Sequence, residues 1–153
     1  MNRRKFLKMT AVAGAVVAVS PSIPVDSFKV NAQPKKRSFE DALKEITKGK
    51  TPVEAPNEVK LIAPSIAENG AVVPIKVEVK KPIKDVKAIH ILADKNFDPW
   101  TCSVHLTPQN GKPYFATRIR LAKTMNVYAV AELSDGSFIM TKKPVKVTIG
   151  GCG

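Results

Sequence analysis

The chain has two thiols, and they differ in what they can do. Cys152 is the penultimate residue of Thr148-Ile149-Gly150-Gly151-Cys152-Gly153. No core can be built around a residue in that position, so its thiol is expected to be accessible. Gly150, Gly151 and Gly153 have no side chains to pack, and each residue extends the reach by about 3.3–3.6 Å, which places the sulfur roughly ten ångströms or more beyond the edge of a folded body. A narrow arm of this kind can enter a deep pocket that a globular surface cannot. The chemistry open to it is nucleophilic: a thiolate attacks, or is joined to, a sulfur atom and keeps it as a persulfide or S-thiosulfonate. The C-terminal carboxylate nearby disfavours ionisation, so activation is expected from a partner's active site. An enzyme would need its own base and orienting group around the nucleophile.

Cys102 lies in Pro99-Trp100-Thr101-Cys102-Ser103-Val104, where alternation puts its side chain on the same face as Val104 and Leu106. It is expected to be an inert core thiol. A Cys102–Cys152 disulfide is the alternative fate for the tail, and it requires the two Cα atoms to come within about 7 Å. There is no Cys-x-x-Cys pair, which argues against a self-contained thiol oxidoreductase. His90 and His105 alternate with apolar neighbours and have no second ligand at zinc-like spacing, so neither a metal nor a cofactor is expected. Arg118 and Arg120 share a strand face that is either solvated or able to take an anion.

The elements that position these residues follow from pattern. Asn2-Arg3-Arg4-Lys5-Phe6-Leu7-Lys8 precedes an uncharged run from Met9 to Val19 that is too short to span a bilayer. Paired arginines before such a run read as a twin-arginine export signal, and Val30-Asn31-Ala32 places its cleavage after Ala32. An uncleaved anchor is the alternative, opposed by the polar, proline-containing stretch after Val19. Of 25 basic and 13 acidic residues the leader takes five and one, so the remainder holds 20 and 12, a net of +8. The lysines are dispersed and not grouped with stacking aromatics, which argues against a nucleic-acid surface. The field is better suited to steering anionic substrates or acidic proteins.

After a polar tail, Ser38 with Asp41 approximates a capping box, and Phe39, Leu43 and Ile46 share a face, which predicts one short helix from Phe39 to Lys48. From Val59 onward the period is two. Strands are predicted at Val59–Ala63, Ala71–Lys80, Val86–Ala93, Thr101–Thr107, Tyr114–Leu121, Met125–Leu133, Phe138–Thr141 and Val145–Ile149. Asn69-Gly70, Lys81-Pro82, Asp98-Pro99, Asn110-Gly111 and Asp135-Gly136 supply the positive or fixed φ of the turns. The fold class expected is all-β: an immunoglobulin-like antiparallel β-sandwich with one short N-terminal helix and a flexible C-terminal arm. The domains are then residues 1–32 (signal peptide), 33–149 (sandwich) and 150–153 (arm).

Val145-Lys146-Val147-Thr148-Ile149-Gly150-Gly151-Cys152-Gly153 resembles the C-terminal signature of the SoxY family, the sulfur-carrier subunits of the Sox thiosulfate-oxidising system. Lys95-Asn96-Phe97-Asp98-Pro99, His105-Leu106-Thr107-Pro108 and Ala116-Thr117-Arg118-Ile119-Arg120 resemble the family's middle region, and the leader agrees with its export route to the periplasm. The resemblance implies a heterodimer with SoxZ and substrate attachment at Cys152, with Gly150, Gly151 and Gly153 as the arm. It implies transient visits to the cytochrome complex SoxAX, the hydrolase SoxB and, in some organisms, the sulfane dehydrogenase SoxCD. The sequence departs from the pattern in two ways: the family often has one more glycine after the cysteine, and Cys102 is not part of its signature. The rival reading is an exported interaction module whose tail cysteine makes only structural or intersubunit disulfides.

Overall fold

The structure, a computed structural model, describes residues 36–151, so the leader, its cleavage site, Cys152 and Gly153 lie outside the described residues. Among the described residues nine strands follow one helix. Helix α1 spans Phe39–Thr47; the strands are β1 Val53–Glu54, β2 Val59–Ile62, β3 Ile66–Asn69, β4 Val73–Val79, β5 Val86–Ala93, β6 Trp100–His105, β7 Tyr114–Ile119, β8 Met125–Leu133 and β9 Phe138–Ile149. They form a six-stranded sheet ordered β1-β9-β8-β5-β6, with β3 also on β9, facing a three-stranded sheet ordered β2-β4-β7. This is the immunoglobulin-like sandwich expected from the period-two pattern.

Alternation fills the space between the sheets. Val73, Ile75, Val77 and Val79 of β4 are buried while Pro74 and Lys76 between them are exposed. They meet Ile89, Ile91 and Ala93 of β5 and Val127, Ala129 and Ala131 of β8 in one core. Strands β5 and β8 do not follow the simple alternation, because both of their faces are covered. Helix α1 lays Ala42 and Ile46 against Leu92, Val130 and Phe138 on the outer face of the larger sheet, with Phe39, Leu43, Trp100 and Tyr128 around them. A helix of this length is marginal alone and is held by that apolar contact. Ser38 caps it, its Oγ accepting from the Asp41 N–H at 3.1 Å. It ends one residue earlier than predicted, because Lys48 turns into the left-handed region (φ 55°) and its Nζ donates to Glu132 Oε1 at 2.9 Å.

Three features differ from the sequence reading. The segments Phe138–Thr141 and Val145–Ile149 are one continuous strand, β9. The short strands β1 and β3 were not anticipated; both pair in parallel with β9, at Ile139–Met140 and Lys146–Ile149 respectively. Gly111 and Gly136 do adopt positive φ, but Gly70 does not. Glycine at position 70 therefore has another cause.

Candidate functional site

Strand β9 leads to the arm, and its neighbours change along its length. From Phe138 to Val145 it pairs with β8. Beyond Val145 it leaves β8 and runs beside β3, with Ala67 opposite Val147 and Asn69 opposite Ile149. The Thr124 hydroxyl accepts from the Val147 N–H at 3.0 Å, covering the side that β8 has vacated. Ile149 is exposed, so the apolar pattern stops where the sandwich stops.

Gly150 and Gly151 then lie against two turns, Asn69-Gly70-Ala71 between β3 and β4 and Leu121-Ala122 between β7 and β8. The Gly151 N–H donates to the Leu121 carbonyl at 2.9 Å, the Leu121 N–H donates to the Gly70 carbonyl at 2.7 Å, and the Gly70 N–H donates to the Ile149 carbonyl at 2.7 Å. The approach is too close for side chains. A Cβ on Gly150 would stand 2.3 Å from the Ala122 carbonyl oxygen, and one on Gly151 would stand 2.7 Å from the Ala71 N and Cα. A Cβ on Gly70 would meet the Leu121 oxygen at 2.3 Å and the Gly151 N at 2.8 Å. Where the sequence predicts glycines with nothing to pack, Gly150 and Gly151 are thus held close against the body, and their missing side chains allow that approach.

Of the other expected site residues, Cys102, Arg118 and Arg120 share a cavity whose lining includes Asn96, and His90 and His105 stand beside each other on β5 and β6. Cys102 faces the core beside Val104 and Leu106, as alternation predicts, and burial pushes its thiol pKa up. It is half-buried and lines an open cavity of about 350 Å³ with Trp100, Arg118 and Arg120. His90 is directly opposite Ser103 across the β5–β6 ladder, and its Nδ1 lies 2.7 Å from the Ser103 Oγ. The Trp100 Nε1–H donates to the same oxygen at 2.7 Å. His105 stands edge-on to His90 with ring centroids 6.5 Å apart. Among the described residues no three His, Cys, Asp or Glu side chains gather in a way that could hold a metal ion.

Asn96 is a residue whose role the sequence did not disclose. It is 4% exposed; its Nδ2 donates to the Arg120 carbonyl at 2.8 Å and its Oδ1 accepts from the Ala122 N–H at 3.1 Å. It braces the turn whose Leu121 carbonyl receives Gly151. Only its place in a recognisable motif could have drawn attention to it.

Comparison with known proteins agrees with this architecture. The family model described as sulfur oxidation protein SoxY matches residues 43–152. The twin-arginine translocation signal model matches residues 1–20, and the chain is exported by that pathway to the periplasm. No curated protein matches the chain. The solved structure of the sulfur carrier protein SoxY from Chlorobium limicola f thiosulfatophilum is 34% identical, covers 73% of this chain and 97% of its own, and superposes with a TM-score of 0.62. A superoxide reductase (neelaredoxin) from Ignicoccus hospitalis shares the fold alone, at 17% identity and a TM-score of 0.53, over 72% of this chain and 99% of its own. A point variant of that reductase gives 19% identity and a TM-score of 0.52, over 68% of this chain and 86% of its own. From the family match across most of its length and the likeness to a solved carrier, the chain belongs to the SoxY family and is a periplasmic sulfur carrier.

Proposed function

We propose that the chain holds sulfur intermediates covalently on the Cys152 thiol and presents them to partner enzymes as the SoxY half of a heterodimer with SoxZ. The observation that carries this reading is the course of β9. The strand leads out of the sandwich into Gly150 and Gly151, and Cys152 follows directly in sequence. In the first step the thiolate and thiosulfate join through a new S–S bond to give the cysteine S-thiosulfonate, and the two electrons released pass to the cytochrome complex SoxAX. In the second, SoxB uses one water to cleave the S–SO₃ bond, releasing sulfate and two protons and leaving a cysteine persulfide. SoxCD then oxidises the remaining sulfane sulfur where it is present. Each enzyme supplies the base and orienting groups that an isolated arm thiol lacks.

The domain boundaries belong to the same proposal: a signal removed after Ala32, a sandwich of residues 33–149 and an arm of residues 150–153. Among the described residues β6 and β7 end their sheets with one edge unpaired, and such edges suit a subunit that covers them.

Mass spectrometry of protein from thiosulfate-grown cells tests the reading. Sulfur adducts are expected on the C-terminal peptide, with loss of thiosulfate oxidation in Cys152→Ser and co-purification of SoxZ. An adduct-free peptide together with an active Cys152→Ser strain would refute it.

A further inference from the structure

We propose that Gly70, the Leu121-Ala122 turn and Asn96 form a clip for the root of the arm, so that the terminal segment exists in a clipped and a released state. Three backbone hydrogen bonds run in relay from Gly151 to Leu121, from Leu121 to Gly70 and from Gly70 to Ile149, at 2.9, 2.7 and 2.7 Å. They close a loop between the end of β9 and two turns that flank the smaller sheet. Gly70 is buried and its φ is not positive, so its backbone conformation does not demand glycine. What demands it is the missing Cβ, whose place is taken by the Leu121 oxygen, the Gly151 nitrogen and a Val147 methyl.

The receiving side is preorganised, because the buried Asn96 bonds on both sides of Leu121 and fixes the direction of its carbonyl. The arm side is lightly held. Gly150 is exposed, neither glycine contributes apolar burial, and the Gly151 bond to Leu121 is the last hydrogen bond of the described chain. A contact of this kind opens and recloses without disturbing the core. Clipped, the chain is bound to the body up to Gly151; released, it is bound only up to Ile149, and the carrier proposed above gains the length of Gly150 and Gly151 inside a reaction chamber. The existence of the clip does not depend on sulfur attachment, although its use rests on the carrier reading.

Amide hydrogen exchange of the full exported chain, read residue by residue by NMR, tests it without any sulfur chemistry. The Gly151 amide is expected to exchange about fivefold slower than an unstructured amide, the factor that one net backbone hydrogen bond supplies. Gly70→Ala should abolish that protection while Val127 and Ala129 stay protected. Should Gly70→Ala not fold, Gly150→Ala puts the clash on the exposed side of the contact and should give the same local loss. An unprotected Gly151 in the natural chain, or protection that survives a folded Gly70→Ala or Gly150→Ala, overturns the clip. Because no adduct enters the measurement, a chain that never takes up sulfur can still show it.

Discussion

Lowering the pH from 7.5 to 5 should destabilise this protein chiefly through His90. Its ring is 5% exposed, the Ser103 hydroxyl occupies Nδ1, and Nε2 is buried without a partner. Ser103 Oγ also accepts from the Trp100 Nε1–H, and its second lone pair or its proton can meet His90 Nδ1, so that contact is made with the ring hydrogen on either nitrogen. Burial lowers the His90 pKa from 6.5 to about 4; the Glu132 carboxylate opposes this, and His105 and Lys48 add to it. The folded ring therefore stays neutral in a range where the unfolded one takes a proton. The unfolded state binds more protons between about pH 6.5 and 4, so stability is complete above that window and falls as pH falls through it. The whole loss is at most about 3 kcal/mol, of which about 2 kcal/mol accrues between pH 7.5 and 5, before most carboxylates titrate. Urea unfolding at the two pH values, compared with His90→Gln, measures it. An equal pH dependence in both proteins, or an imidazole resonance of folded His90 that titrates near 6.5, would refute the reasoning.

Two further outcomes follow from local contacts. Ser38→Ala removes the cap at the start of α1 and should cost about 1 kcal/mol; faster exchange in the first turn of the helix, with the sheets unchanged, would confirm that the loss is local. Cys102, packed on the core with its pKa raised, should react with iodoacetamide more slowly at pH 8 than the same cysteine in urea; equal rates by peptide mapping would show that the packing does not shield it.

Most of the fold was legible because one face of each long strand is buried. Val86–Ala93 and Met125–Leu133 match their predicted bounds to the residue, although helix α1 covers their second face, since β-branched and apolar residues there still leave charged turns at the ends. The missed strands carry little signal. Both residues of β1 are exposed, and in β3 only Ala67 is buried. Their pairing comes from β9, not from a pattern of their own. The two strands predicted at Phe138–Thr141 and Val145–Ile149 join through Pro144, which falls between the stretches that β1 and β3 cover, where a missing N–H costs nothing on that edge. At the site, small size and chain position pointed to Gly150 and Gly151. Sequence could not show that Gly70 and the Leu121 carbonyl come within reach of them, because that proximity joins turns far apart in the chain.

The parallel seam between β3 and β9 has a mechanical meaning. A protein that grips the chain terminus pulls along the axis of β9, and rungs lying across that axis are loaded in shear, all at once, instead of being peeled one by one. Over Lys146–Ile149 the strand shares this load with a neighbour running in the same direction, and further back β8 takes it up. Traction on the tail is thereby spread through the larger sheet before it can fray the end of the strand.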